Sequence, residues 1–182
     1  MPKHVQLIID GMEYAVEAKT PQPKDCWQTP GHILELVRET FATKYIYTDP
    51  CTTLENPTNA KIFYTHRTNG LRKRWEENAF INPPYSDPSL WLKETNAQVI
   101  AGNIKEAIAL VSTGCLGTNR AGPYARSANA MCLWINRIHF IDPATKKPVT
   151  HTSFTSAFLY WGPRHLVFAD KFKSHGIVSV LL

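Results

Sequence analysis

Ala79-Phe80-Ile81-Asn82-Pro83-Pro84-Tyr85-Ser86-Asp87-Pro88 joins three local signals without a gap. An apolar run ends abruptly at Asn82. Two prolines then fix the backbone and remove donors from the following turn. Asp87-Pro88 opens a helix, with Asp as N-cap and Pro at the first helical position, and the spacing carries that helix from Ser89 to about Ile100. Strand, rigid loop and helix in that order put residues 82–85 at the C-terminal end of a strand. Open α/β sheets bind their ligands at that edge.

The flanks extend the same pattern. Upstream, His32 to Phe41 places Ile33, Leu36, Val37 and Phe41 on one helical face. Tyr45-Ile46-Tyr47-Thr48 reads as a strand ending in Asp49-Pro50-Cys51, and Ile62-Phe63-Tyr64 as another short one. Downstream, Ala107-Ile108-Ala109-Leu110-Val111 is a continuous apolar run, as expected of a central strand covered on both faces. Further strands are predicted at 130–135, 137–141, 156–161 and 177–181, with a short helix at 165–174. Residues 1–24 read as an N-terminal hairpin about Asp10-Gly11 followed by a proline-rich linker. Helix and strand alternate for two-thirds of the chain and strands dominate afterwards. The fold class is α/β with a mixed sheet, one domain over residues 1–182, without repeats or low-complexity tracts.

With 182 residues, 43% hydrophobic and 19% charged, the chain has the composition of a folded protein and not of a disordered tail. No run reaches the roughly 20 apolar residues of a membrane span, and Val5 to Asp10 turns polar too soon for a signal peptide. A cytoplasmic protein is expected. Cys26, Cys51, Cys115 and Cys132 form no Cys-x-x-Cys and lie near no spaced histidine pair, so reduced thiols and no metal are expected. The net charge is +5, and its distribution is uneven. Lys61 to Arg74 carries Arg67, Arg72, Lys73 and Arg74 with no acid. Ala107 to Ile141 again lacks acids but holds Arg120, Arg126 and Arg137. Two acid-free basic stretches suit a polyanion, and they equally describe a solvated basic surface.

The loop itself points to one kind of chemistry. A conjugated amine is a poor nucleophile because its lone pair is delocalised. Two acceptors holding its N–H bonds, the Asn82 side-chain oxygen and the Pro83 carbonyl, favour the pyramidal amine whose lone pair is free. Pro84 stiffens the turn, and Tyr85 can stack on a flat substrate, a contact worth about 1–3 kcal/mol for a base. The bland counterpart is a proline-rich turn with a surface tyrosine.

The chain resembles the phage Dam-type DNA N6-adenine methyltransferases. The residues that carry the likeness are Trp27-Gln28-Thr29-Pro30, Asp49-Pro50-Cys51, Asn59-Ala60-Lys61, Gly70-Leu71 with Trp75, and Asn82-Pro83-Pro84-Tyr85-Ser86 with Trp91. Arg137-Ile138-His139-Phe140 and Ser156 to Tyr160 complete it. The resemblance implies a Rossmann-like S-adenosyl-methionine-dependent methyltransferase fold and methyl transfer to adenine N6 in duplex DNA, with the base flipped out of the stack. It implies Asn82, Pro83, Pro84 and Tyr85 as the catalytic loop. Thr29 and Pro30 would line the cofactor's methionine end, Asp49 would meet its ammonium or sugar, and Asn69 would stand near its adenine. Thr29 as a helix N-cap and Asp49 as a turn-former are the structural alternatives. Arg72, Lys73 and Arg74, upstream of the loop, would grip phosphates, as would Arg120 and Arg126.

Three features depart from the family pattern. No Gly-x-Gly follows the first strand, Asn69 replaces an Asp, and Thr113 to Arg126 matches poorly. Two rival functions share the loop: methylation of glutamine side chains in proteins, and DNA binding by a relative with a decayed site. Trp75, Trp91 and Trp134 are expected in the core.

Overall fold

In the computed structural model, which describes residues 5–9, 12–16 and 23–181, the apolar run around Ile108 forms the middle of a seven-stranded sheet. In chain order the elements are strands β1 (Val5–Ile9) and β2 (Met12–Val16), helix α1 (Gly31–Thr40), and strands β3 (Thr48–Asp49), β4 (Ile62–Phe63) and β5 (Glu77–Ile81). Helix α2 (Pro88–Ile100), strand β6 (Ile104–Ser112) and the one-turn helices α3 (Thr113–Leu116) and α4 (Gly122–Ala125) follow. Strands β7 (Ala130–Trp134) and β8 (Ser156–Trp161), helix α5 (His165–Phe172) and strand β9 (Gly176–Val180) close the chain. The large sheet runs β4-β3-β5-β6-β8-β7-β9. Its first four strands are parallel, and each pairing from β6 to β9 is antiparallel, so β7 again runs with β6.

Alternation along the strands sorts the core into two layers. Phe80, Ile108, Leu110, Phe158 and Tyr160 face one side, where Ile33, Leu34 and Val37 of α1 and Phe168 and Phe172 of α5 cover them. Ala79, Ile81, Ala107, Ala109, Val111 and Leu159 face the other, against Leu92 of α2, Ala125 of α4 and its N-cap Ala121. Each large apolar side chain buried in these layers contributes about 1.5–3 kcal/mol. The small residues of β6, alternating with bulky ones, let α2 and α4 approach closely.

The chain leaves β3 outward to β4 and returns to β5 on the opposite side of β3. That reversal opens a crevice at the C-terminal ends of β3 and β5, the ends occupied by Asp49 and Asn82.

Several expectations shift. Strand β3 covers Thr48–Asp49 only, because the Asn78 side chain of β5 accepts the Tyr47 N–H at 2.9 Å and donates to the Tyr45 carbonyl at 3.1 Å, in place of backbone pairing there. No strand forms at 137–141. Asn136 takes a left-handed backbone (φ 68°), and Ile141 pairs instead with Gln28 and Pro148. Thr29 does not cap α1: Pro30 occupies the N-cap. Strands β1 and β2 pair in antiparallel register from Val5↔Val16 to Ile9↔Met12, while the Asp10-Gly11 turn and most of the linker lie outside the described residues. Among the described residues no helix is long and apolar enough to cross a membrane.

Candidate active site

A cavity of about 560 Å³ opens at the crevice, within the ~300–1,000 Å³ range of small-molecule and cofactor sites. Of the residues that the sequence assigns to the site, Thr29, Asp49, Asn69, Asn82 and Pro84 line it, whereas Pro30, Pro83 and Tyr85 do not. Thr52, Thr53, Thr58, His66, Arg67 and Trp91, which the sequence does not assign to it, line it as well. Trp75 is fully buried and donates its indole N–H to the Gly70 carbonyl, but Trp91 is only half-buried and forms part of the cavity wall.

Asn82 stands where β5 gives way to the two prolines. Its Nδ2 donates to the Trp27 carbonyl at 3.1 Å and to Thr29 Oγ1 at 3.2 Å. A carbonyl can only accept, so Trp27 fixes which end of the amide carries nitrogen. The opposite end, Oδ1, is buried and has no hydrogen-bond partner. Native proteins leave few buried polar atoms unpaired. An acceptor orphaned at the lip of a cavity is therefore suited to an incoming N–H donor.

Tyr85 departs from the picture of an open stacking platform. Its ring lies 4.4 Å from Phe154 and 5.7 Å, edge-on, from Phe140, with Trp27 6.5 Å away. Burial raises its hydroxyl pKa, and that hydroxyl too is buried without a partner. Phe140 and Phe154 come from the long β7–β8 connection, which packs on Tyr85. The same connection supplies Pro143 to the cavity wall and Lys146 to an ion pair with Glu55, which also accepts from Gln28 Nε2 at 2.8 Å.

Asp49 is 3% exposed. One carboxylate oxygen accepts the Cys51 N–H (3.2 Å) and the other the Thr58 hydroxyl (2.7 Å). Burial pushes its pKa up to about 6, against these hydrogen bonds. Among the described residues no Lys or Arg pairs with it, so a cationic ligand group would find an uncompensated acid there. Thr53 Oγ1, also on the cavity wall, is a second buried atom without a partner. In place of a glycine-rich turn, Asn56 and Asn59 adopt left-handed backbones (φ 47° and 50°), and Asn56 Oδ1 accepts the Ala60 N–H. Asn is the residue that best tolerates this conformation after Gly. Asn69, at φ 50°, starts the 3-10 turn Gly70–Arg72, whose Gly70 packs directly on the Pro50 carbonyl.

The basic residues are dispersed. Arg120 pairs with Asp87 at 2.9 Å, at the start of α2 and just after the Asn82–Tyr85 loop. Arg126 is exposed at the end of α4, next to Ser127, whose hydroxyl donates to Asn96 in the middle of α2. Arg72, Lys73 and Arg74 are exposed, but they run toward the far end of α2, where Gln98 donates to the Lys73 carbonyl. Gln98 lies ten residues beyond Pro88, about 15 Å along the helix. Among the described residues no group of three or more His, Cys, Asp or Glu is placed to hold a metal ion.

A family model described as DNA N-6-adenine-methyltransferase (Dam) matches residues 17–174. A protein from Escherichia phage T1 described as DNA N-6-adenine-methyltransferase is 30% identical over 97 residues. That match covers 52% of this chain and 40% of the phage T1 protein. No solved structure matches.

Proposed function

The chain belongs to the Dam family of DNA N-6-adenine-methyltransferases, and from that premise we propose that it methylates the N6 amine of adenine in duplex DNA, with S-adenosyl-methionine as donor. The observation that carries this reading is the orphaned Asn82 Oδ1, turned by Trp27 and Thr29 so that only its acceptor end is available. A decayed site would have no reason to keep a buried acceptor unpaired, since that costs about 1–3 kcal/mol.

The cavity suits the donor. Asp49 offers a buried carboxylate for an ammonium or for sugar hydroxyls, and Thr53 an unpaired hydroxyl beside it. When bound, the sulfonium supplies an activated methyl group. Asn82 Oδ1 and the Pro83 carbonyl accept the two N6 hydrogens and draw the nitrogen lone pair out of conjugation. Pro84 keeps the turn rigid. Tyr85 packs on Phe140 and Phe154, and it would have to leave that packing to stack on a flipped base. The methylated amine, once positively charged, releases its proton to solvent, so no side-chain base is required. Orientation and acceptor placement supply most of the acceleration.

Arg120, at the start of α2, would hold the duplex backbone; Arg126, beside Asn96, and Arg72, Lys73 and Arg74, beside Gln98, lie further along that helix and would reach only more distant phosphates. A DNA substrate puts the work in the cytoplasm, the host's if the chain is phage-encoded. The test is incubation with tritiated S-adenosyl-methionine and unmethylated duplex DNA, followed by nucleoside analysis. N6-methyladenine is expected. N4-methylcytosine, or label on protein with none on DNA, would overturn the assignment.

A further inference from the structure

Resting on the reading of Asn82 as the acceptor for the substrate amine, we propose that Thr29 is a positioning residue: beside the Trp27 carbonyl, which selects the nitrogen end of the Asn82 amide, its hydroxyl accepts the second N–H and holds the oxygen end toward substrate. A carboxamide is nearly symmetric in shape, and its terminal torsion has broad, roughly two-fold preferences. Turned over, Asn82 would aim N–H donors at an amine that is itself a donor, and the loop could not work. The orientation has to be enforced from behind.

The structure has the enforcing groups in place. Trp27 O and Thr29 Oγ1, two residues apart on one extended segment, accept from Asn82 Nδ2 at 3.1 Å and 3.2 Å. Together they match the two N–H bonds of the amide nitrogen. Thr29 is available for this because Pro30, and not Thr29, takes the N-cap of α1. The hydroxyl is well buried, so water does not replace it readily: Thr29 is 6% exposed. The segment is anchored on both sides of the contact. Gln28 exchanges two backbone hydrogen bonds with Ile141, both 2.9 Å, and Trp27 stacks on Phe140 and Phe154. A threonine that lined only the cofactor would need none of these constraints.

The test compares Thr29→Val, Thr29→Ala and Thr29→Ser with wild type, measuring methylation of unmethylated duplex DNA over a range of S-adenosyl-methionine concentrations. Thr29→Val keeps the shape without the acceptor, and Thr29→Ala serves if the added methyl disturbs folding. Both should lower kcat at saturating cofactor by roughly 10-fold, the scale of one hydrogen bond, with cofactor Kd by calorimetry unchanged. Thr29→Ser should restore wild-type kcat. Weakened cofactor binding with full kcat at saturation would make Thr29 a cofactor contact and overturn the proposal; so would a Thr29→Ser as impaired as Thr29→Val. A readout independent of activity is hydrogen exchange of the Asn82 side-chain amide, its resonance identified by absence in Asn82→Ala. Both N–H protons should be protected in wild type and one of them deprotected in Thr29→Val, where the Trp27 carbonyl still holds the other; equal exchange in both proteins refutes the contact. If wild type transfers no methyl to DNA while this protection is seen, the functional reading fails and the positioning contact stands.

Discussion

Asn82 and Asp49 are both buried polar groups at strand ends, yet they carry opposite kinds of burden. The amide of Asn82 is satisfied at nitrogen and bare at oxygen. Asn82→Ala should therefore cut turnover by at least ~10²-fold, the worth of one positioned electrostatic partner, while cofactor affinity stays near wild type. Kinetics at saturating cofactor beside calorimetry measure the two, and turnover within ten-fold of wild type contradicts the role. Tyr85 extends the reasoning to its own unpaired hydroxyl. Tyr85→Phe removes a desolvated group without breaking a hydrogen bond, so its melting temperature should equal or exceed wild type. Asp49 has its pKa raised to about 6 by burial, above its unfolded value near 3.9. The folded state thus holds that proton more tightly, and the stability this adds is complete below about pH 4 and lost as pH rises through about 6. Asp49→Asn should be more stable than wild type at neutral pH and lose that advantage near pH 4; Thr58 can rotate its hydroxyl to accept from the new amide. Binding of a cationic cofactor has the reverse dependence, strengthening in wild type as Asp49 ionises and staying flat in Asp49→Asn. Thermal melts and cofactor titrations from pH 4 to 8 decide it, and a pH-independent difference in melting temperature rejects the assignment.

At the scale of elements, what local chemistry dictates was legible and what distant contacts dictate was not. Asp87-Pro88 marked the start of α2 at its observed position, and the run from Ser156 to Trp161 forms β8 as expected. The sequence points to Asn82 by its loop at a strand end and to Asp49 by the family resemblance, and both line the cavity. The partners of Asn82 lie 53 and 55 positions earlier, and hydrogen bonds of that span leave no periodic trace. The Phe140 and Phe154 cover was missed for a related reason. Residues 137–141 alternate like a strand, but Asn136, Pro143 and Pro148 punctuate them, and their backbone turns to Gln28 instead of the sheet. The repeated threonines at 52, 53 and 58, close behind Asp49, were the available sign of a polar cradle without glycines. Element junctions also show where a small residue is obligatory. A Cβ on Gly70 would stand 2.0 Å from the Pro50 carbonyl oxygen, an approach backbone cannot yield to locally. Gly70→Ala should push the 3-10 turn from the end of β3, costing about 2–3 kcal/mol and of order 5–10 °C in melting temperature, with cofactor affinity falling as Asn69 moves. An unchanged melting temperature would mean that the turn packs less tightly on Pro50 than described.

On the scale of the whole molecule, the proposed function requires a duplex to meet a sheet whose cavity sits at one edge. A flipped base would stay tethered to its own strand, so the phosphates beside it would lie close to the edge that carries Asn82. Arg120 is at that edge, bound to Asp87 at the start of α2 and largely exposed. Arg72, Lys73 and Arg74 contain more charge but trail toward the opposite end of the same helix. If proximity to the edge governs contact, Arg120→Ala should weaken DNA binding for every sequence alike and flatten the slope of log affinity against log salt by about 0.9, one phosphate's share. Release of the Asp87 carboxylate to face the backbone would add to the loss. The triple change Arg72→Ala, Lys73→Ala, Arg74→Ala should alter the slope less than that single substitution, although it removes three charges. Affinities measured over a range of salt with a fixed duplex separate the two cases. A triple variant that flattens the slope by about 2–3 while Arg120→Ala leaves it alone would turn the duplex through roughly the length of α2, onto the face that Arg72 to Arg74 occupy. Total charge favours the triple site and the geometry of base delivery favours Arg120; because a phosphate contact requires reach before charge, geometry should win.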